Sequence, residues 1–184
     1  MHKPFFLLVF FLVVLAGCRG PGVLLPDGTH EFAIEGKLAI RAPDGNHAAR
    51  FRWRQDGERY AIELWGPLGQ GRTLLEGDGR RLRIRNAGGK LLDHGPVRTV
   101  MLRQLGWYLP LEALPQWVEG GPIRSEPVFE PEIDAAGRMT GFSQLGWRLA
   151  YTYAPDAPAP RRITAETAGY RVLMVVQAPP ANGG

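Results

Sequence analysis

Apolar and polar residues alternate along most of the chain after residue 31. From Phe32 to Ile40, apolar side chains occupy every second position except Gly36, and the charged residues Glu35 and Lys37 fall between them. The same period of two returns in residues 51–54, 60–64, 82–85, 149–153 and 172–176. Side chains with this period point to opposite faces of a strand. Turn pairs such as Asp56-Gly57 and Asp78-Gly79 separate the runs. Short strands with one polar face predict a meandering antiparallel sheet.

The middle of the chain has helical spacing instead. Residues 97–105 place apolar side chains at positions 97, 101, 102 and 105, and residues 111–118 repeat this pattern after Pro110. Pro115 is compatible with the first turn of the second helix. Two short helices inside a long meander predict a curved sheet with helices across its concave face.

The beginning of the chain predicts export and lipidation. Phe5 to Leu15 are eleven apolar residues, too few for a helix to cross a bilayer of roughly 30 Å but typical of a secretory signal. The segment Leu15-Ala16-Gly17-Cys18 resembles a bacterial lipobox, in which the cysteine is lipidated and becomes the mature N-terminus. An isolated cysteine beside an ordinary cleavage site is the alternative. We predict a cleaved signal peptide at 1–17, a lipidated N-terminus and tether at 18–30, one domain at 31–178 and a flexible tail at 179–184.

Charge and cysteine content narrow the class of protein. Cleavage removes only Lys3, which leaves 21 Lys and Arg against 18 Asp and Glu. The single cysteine permits no disulfide within the chain. Two arginine-rich stretches, 50–54 and 80–85, have alternate spacing that favours a solvated strand face. Weak attraction to anionic head groups or an acidic partner is the alternative. Export makes nucleic acid an implausible partner.

We find no pattern of catalytic or metal-binding residues in the sequence. The histidines stand singly, and neither a Gly-x-Ser-x-Gly motif nor a phosphate-binding loop is present. Glu130 and Glu132 are interpreted as solvated carboxylates. Distant carboxylates can converge in a fold, so an envelope hydrolase remains a less favoured alternative. The prediction is a protein without catalytic residues, metal or cofactor.

The segment Gly66-Pro67-Leu68-Gly69 predicts a tight turn. Its one bulky side chain is Leu68. Spacing alone favours a leucine that folds back onto the core. The alternative is an apolar finger left in solvent to touch lipid or a partner.

Several short motifs, taken together, resemble the LolB family of outer-membrane lipoproteins. In chain order they lie at residues 36–39, 51–55, 64–69, 105–110, 114–117, 144–147 and 160–163, with Gly120, Pro122 and Tyr151 between them. The resemblance implies a protein that receives lipoproteins from a periplasmic carrier, LolA, and inserts them into the outer membrane. It also maps the family's protruding loop leucine onto Leu68, which favours exposure of that side chain.

The resemblance implies a mainly β (α+β) fold: a curved antiparallel sheet or incomplete β-barrel with short helices covering an apolar cavity for acyl chains. Expected partners are a LolA-like carrier, client lipoproteins with their acyl chains, and outer-membrane lipid, and the protein is expected to be a monomer on the periplasmic face. A structural lipoprotein that scaffolds an envelope assembly is the rival. The candidate cavity residues are Ile34, Leu38, Ile40, Trp53, Ile62, Leu64, Met101, Leu105, Trp117, Trp147 and Met174.

Overall fold

The computed structural model describes residues 32–177. Eleven strands and two helices follow one another along this part of the chain. The first six strands are β1 (Phe32–Ala42), β2 (Gly45–Asp56), β3 (Arg59–Trp65), β4 (Thr73–Gly77), β5 (Arg81–Asn86) and β6 (Leu91–Pro96). The helices are α1 (Val97–Leu105) and α2 (Leu114–Val118), and the remaining strands are β7 (Phe129–Ile133), β8 (Met139–Gln144), β9 (Trp147–Tyr153), β10 (Pro160–Thr167) and β11 (Tyr170–Gln177). Neither helix is long and apolar enough to cross a bilayer.

All eleven strands form one antiparallel sheet in the order β6-β5-β4-β3-β2-β1-β11-β10-β9-β8-β7. The first strand therefore pairs with the last in the middle of the sheet, from Glu35 opposite Gln177 to Arg41 opposite Arg171. The two edges are β6 and β7, which are joined along the chain by the segment containing both helices. The sheet remains open at these edges. The predicted curved antiparallel sheet with short helices is confirmed, and "barrel" describes it only approximately.

Strand register aligns the apolar side chains into rows on the concave face. One row crosses five strands through Ile34, Trp53, Ile62, Leu75 and Ile84. The alternate positions carry mostly charged side chains on the outward face. Helix residues Met101 and Trp117 are buried with the concave side chains in one apolar core. The alternation seen in the sequence thus separates a lipophilic interior from a charged exterior.

The structure contains strands that the alternating pattern did not predict. These are β4, β6, β8 and β10, and β7, which falls where we expected a strand or a loop. The predicted helix at 97–105 has the bounds of α1, and Gly106 ends it with a positive φ of 77°. Pro115 lies in the first turn of α2, as the sequence predicted.

Candidate functional site

An apolar cavity of about 400 Å³ lies between the concave face of the sheet and the helical segment. This volume is within the usual range of ligand pockets. Among residues 32–177, its wall contains no charged side chain, and Thr73 and Gln104 are its only polar residues. The remaining lining residues are Leu38, Ile40, Phe51, Trp53, Ile62, Leu64, Leu75, Leu82, Ile84, Leu92, Met101, Leu105, Trp107, Leu109, Leu111, Leu114, Trp117, Val118, Leu149, Ile163, Ala165, Val172 and Met174.

Nine of the eleven residues named from the sequence lie in this wall, and two lie elsewhere. Ile34 is half-buried at the β1 end of the concave row, beside Trp53 in register. Trp147 is buried against the ring of Trp107, with centroids 5.8 Å apart. Both side chains point inward, but they contribute to the packed core and not to the cavity surface.

The sequence interpretation missed much of the wall supplied by the connecting segment after α1. Trp107, Leu109 and Leu111 all line the cavity. Trp107 and Leu109 lie in irregular chain, where neither the strand nor the helix period applies. Leu111 belonged to the helical spacing predicted for 111–118, but it lies in a turn before α2 begins at Leu114. The signal that could have identified them is the concentration of large apolar residues in a segment without a polar face.

Two tryptophans in the wall direct their polar groups away from the cavity. The Nε1–H of Trp53 donates to Oε1 of Gln55 at 2.9 Å, and that of Trp117 donates to Oε1 of Gln144 at 3.0 Å. Each indole N–H is therefore satisfied by protein, as buried donors require. The rings consequently present only apolar surface to a guest.

Gln144 attaches the helical segment to the sheet. This side chain is 1% exposed. Its Oε1 also accepts from the backbone N–H of Ile123 at 3.1 Å, and its Nε2 donates to the carbonyls of Ile123 at 2.9 Å and Glu126 at 3.0 Å. The amide thus fixes the position of α2 and the chain that follows it over the cavity.

A second attachment holds α1 at the mouth of the cavity. Asp93 of β6 accepts from Arg103 Nε at 2.8 Å and from Gln104 Nε2 at 2.7 Å. The hydrogen bond from Arg103, with that from Gln104, holds the pKa of the Asp93 carboxyl well below its usual value. Leu92 and Leu105 line the cavity beside this attachment and are 51% and 48% exposed. The cavity therefore opens to solvent between β6 and α1.

Leu68 is the most exposed large apolar side chain of the described residues, at 92%. The N–H of Gly69 donates to the carbonyl of Gly66 at 2.8 Å, which closes a β-turn with Pro67 at the second position and Leu68 at the third. The N–H of Gly66 donates to the carbonyl of Gln70 at 2.8 Å and closes the base of the loop. Leu68 is therefore held in solvent by a closed turn and does not fold back onto the core.

A buried carboxylate fixes the far end of this loop. Glu63 is almost fully buried on the outward face of β3, and its Oε2 lies 3.1 Å from Nη1 of Arg72. The Arg72 guanidinium also lies over the Trp65 ring, 5.6 Å from its centroid. A buried charge with a well-aligned partner constrains geometry strongly. The finger carrying Leu68 thus rises from a defined base.

The predicted signal peptide (1–17), the tether with Cys18 (18–30) and the predicted tail (179–184) lie outside the described residues.

Comparison with known proteins assigns the family. A family model described as outer membrane lipoprotein LolB matches residues 30–178. Proteins named outer-membrane lipoprotein LolB are similar to the chain: one from Halorhodospira halophila is 30% identical over 76% of this chain and 74% of its own length, and one from Chromohalobacter salexigens is 33% identical over 78% and 68%. A crystal structure of a LolA superfamily protein from Nitrosomonas europaea covers 79% of this chain and 84% of its own, with a TM-score of 0.47 and 14% identity. The family model and these relatives show that the chain belongs to the LolB family of outer-membrane lipoproteins.

Proposed function

We propose that this protein accepts lipoproteins from a LolA-like periplasmic carrier in its apolar cavity and inserts them into the outer membrane. The observation that carries the proposal is an open cavity of about 400 Å³ whose wall, in the described part of the chain, has no charged residue. A solid scaffold protein has no need of such a space. A hydrolase would need ionisable groups in its cleft. The bound guest is therefore the acyl part of a client lipoprotein, held without chemical change.

The direction of transfer follows from burial of the acyl chains. Each buried CH₂ contributes about 0.8 kcal/mol, so a chain of roughly fifteen contributes about 12 kcal/mol when fully in hydrocarbon. A cavity that opens to solvent at Leu92 and Leu105 shields a chain less completely than a bilayer does. The bilayer is the thermodynamic sink, and transfer needs no nucleotide. The protein lowers the kinetic barrier by keeping the chains out of water.

Within this proposal the two other predicted elements have separate roles. Leu68 enters the bilayer surface and brings the cavity to the point of release. Cys18 is the lipidated residue and keeps the protein, as a monomer, on the periplasmic side of its target membrane. A C18A protein is then expected to bind clients normally while delivering them without regard to the membrane.

The direct test is transfer of a purified fluorescent lipoprotein from its carrier to this protein and then to vesicles. An acylated peptide should compete with the client for binding. If neither the peptide nor the client binds the folded protein, the cavity does not accept acyl chains and the proposal is wrong.

A further inference from the structure

The outward faces of the two halves of the sheet differ in charge. Strands β1–β5 carry nine Lys and Arg side chains and four carboxylates, whereas β7–β11 carry four Lys and Arg side chains and three carboxylates. In β1–β5 the charged residues occupy the positions between the cavity-facing residues, so their side chains lie on the outward surface. We call this surface the basic face; its cations are Lys37, Arg41, Arg50, Arg52, Arg54, Arg59, Arg81, Arg83 and Arg85.

The carboxylates of the basic face are all neutralised locally by arginine. The pairs are Glu35 with Arg52 at 3.7 Å, Asp56 with Arg59 at 2.8 Å, Glu63 with Arg72 at 3.1 Å and Glu76 with Arg85 at 3.3 Å. The cations of the face without an ion-pair partner in residues 32–177 are Lys37, Arg41, Arg50, Arg54, Arg81 and Arg83. The surplus positive charge is therefore concentrated on this one surface.

This arrangement opposes folding at one place. Lys37 and Arg50 are directly opposite each other in the register of β1 and β2. Like charges in that position repel and destabilise a sheet. A solvated face would be equally soluble with mixed charges. The surplus is accounted for if an anionic surface neutralises it.

The loop carrying Leu68 joins β3 to β4, two strands of the basic face. Trp65 stands at the base of the loop on the same outward face and is the register partner of Arg50. Tryptophan is a residue of the membrane–water interface, and an apolar tip beside a set of cations is typical of proteins that bind anionic bilayers. An acidic protein would pair with the cations but would give the Leu68 side chain no apolar environment in which to be buried. The combination favours a bilayer.

We propose that the basic face binds the anionic head groups of the target bilayer and so orients the protein with Leu68 at the lipid surface. This inference rests on the proposed insertion function, because it names the lipid class that assists it. Attraction acts over about a Debye length, roughly 10 Å at 0.1 M salt, and therefore gathers the protein before the leucine makes contact. Cations near an anionic membrane each strengthen binding about fivefold.

The test is vesicle co-sedimentation of the unacylated C18A protein with phosphatidylcholine vesicles, with and without phosphatidylglycerol. The face variant is K37Q/R50Q/R83Q, which removes three exposed cations without ion pairs. The matched control is R124Q/R161Q/R162Q, which removes equal charge from exposed positions elsewhere.

We expect phosphatidylglycerol to strengthen binding of the parent protein, and salt to reverse this gain. The face variant should lose at least tenfold of the affinity for anionic vesicles, and the control variant should lose far less. Because Lys37 and Arg50 repel, the face variant should unfold at a urea concentration no lower than that of the parent protein, which separates lost binding from lost folding.

Two results would overturn the inference. If phosphatidylglycerol does not change the binding of the parent protein to vesicles, the basic face does not bind anionic lipid. If the face variant then also accepts clients from the carrier poorly, the partner of the basic face is an acidic protein. If both variants lose affinity equally, net charge acts and not this face. Client transfer into pure phosphatidylcholine vesicles reports the proposed function separately, since it needs no anionic lipid.

Discussion

Replacing Leu68 with Asp tests whether the exposed turn makes the contact with lipid. The side chain is 92% exposed, so its loss costs the fold little, within about 0.5 kcal/mol for a surface substitution. The same exposure leaves nearly all of its apolar area free to enter a bilayer. Burial of a leucine contributes about 1.5–3 kcal/mol, which corresponds to roughly a tenfold to hundredfold effect on membrane association. A carboxylate at this position removes that contribution.

The assay measures two steps with one fluorescent client. Binding of the client to L68D should equal binding to the parent protein, because Leu68 is not part of the cavity wall. Release into a limiting amount of vesicles should slow by tenfold or more. L145D is the matched control: Leu145 is a partly exposed leucine in the β8–β9 turn, with a positive φ that aspartate tolerates. Release by L68D at the parent rate under limiting lipid would refute the contact.

Three further substitutions examine the cavity and its supports. L105D places a charge at the mouth of the cavity and should weaken the binding of an acylated peptide by tenfold or more. L102D, on the same helix but outside the cavity wall, should bind the peptide normally. Equal effects of the two substitutions would show that the mouth lies elsewhere. Q144A leaves buried backbone and indole groups without partners and should lower the free energy of unfolding in urea by about 3 kcal/mol. The control Q116A, at an exposed position, should lower it by less than about 0.5 kcal/mol. D93N should reduce the loss of stability in acid. Because the pKa of Asp93 is lower in the folded than in the unfolded protein, its carboxylate stabilises the fold above about pH 4, and this stabilisation is lost progressively as the pH falls below about 4. The parent protein should therefore lose more stability than D93N between about pH 5 and pH 2, and parallel curves would contradict this.

Periodicity predicted which face a residue occupies more reliably than how near the cavity it lies. Trp53 and Ile34 share one concave row, yet only Trp53 reaches the cavity wall. The helix at 97–105 was predictable because its apolar spacing is regular and Gly106 ends it. Residue spacing carries no information on the depth of a side chain along a curved sheet, and that depth distinguishes wall from core.

Strand β7 shows a second limit of the pattern. All five of its residues, Phe129–Ile133, are exposed, and its pairing with β8 is irregular. Without a buried face, no alternation of apolar and polar residues is required, so nothing in the sequence sets its period. The spacing of residues could likewise not predict the exposure of Leu68, because this exposure depends on the hydrogen bonds that close its turn.

The pairing of the first strand with the last has a consequence for how the chain folds. Strands β1–β6 and β7–β11 are each a run of local hairpins, and the residue pairs that join the two runs are the most distant in sequence. Contacts of such long range form slowly, because the intervening chain must be closed into a loop first. Until β11 has docked on β1, both half-sheets expose their apolar concave surfaces to water. Apolar surface and unpaired strand edges exposed in this way promote aggregation, so the docking of β11 on β1 also protects the newly made chain.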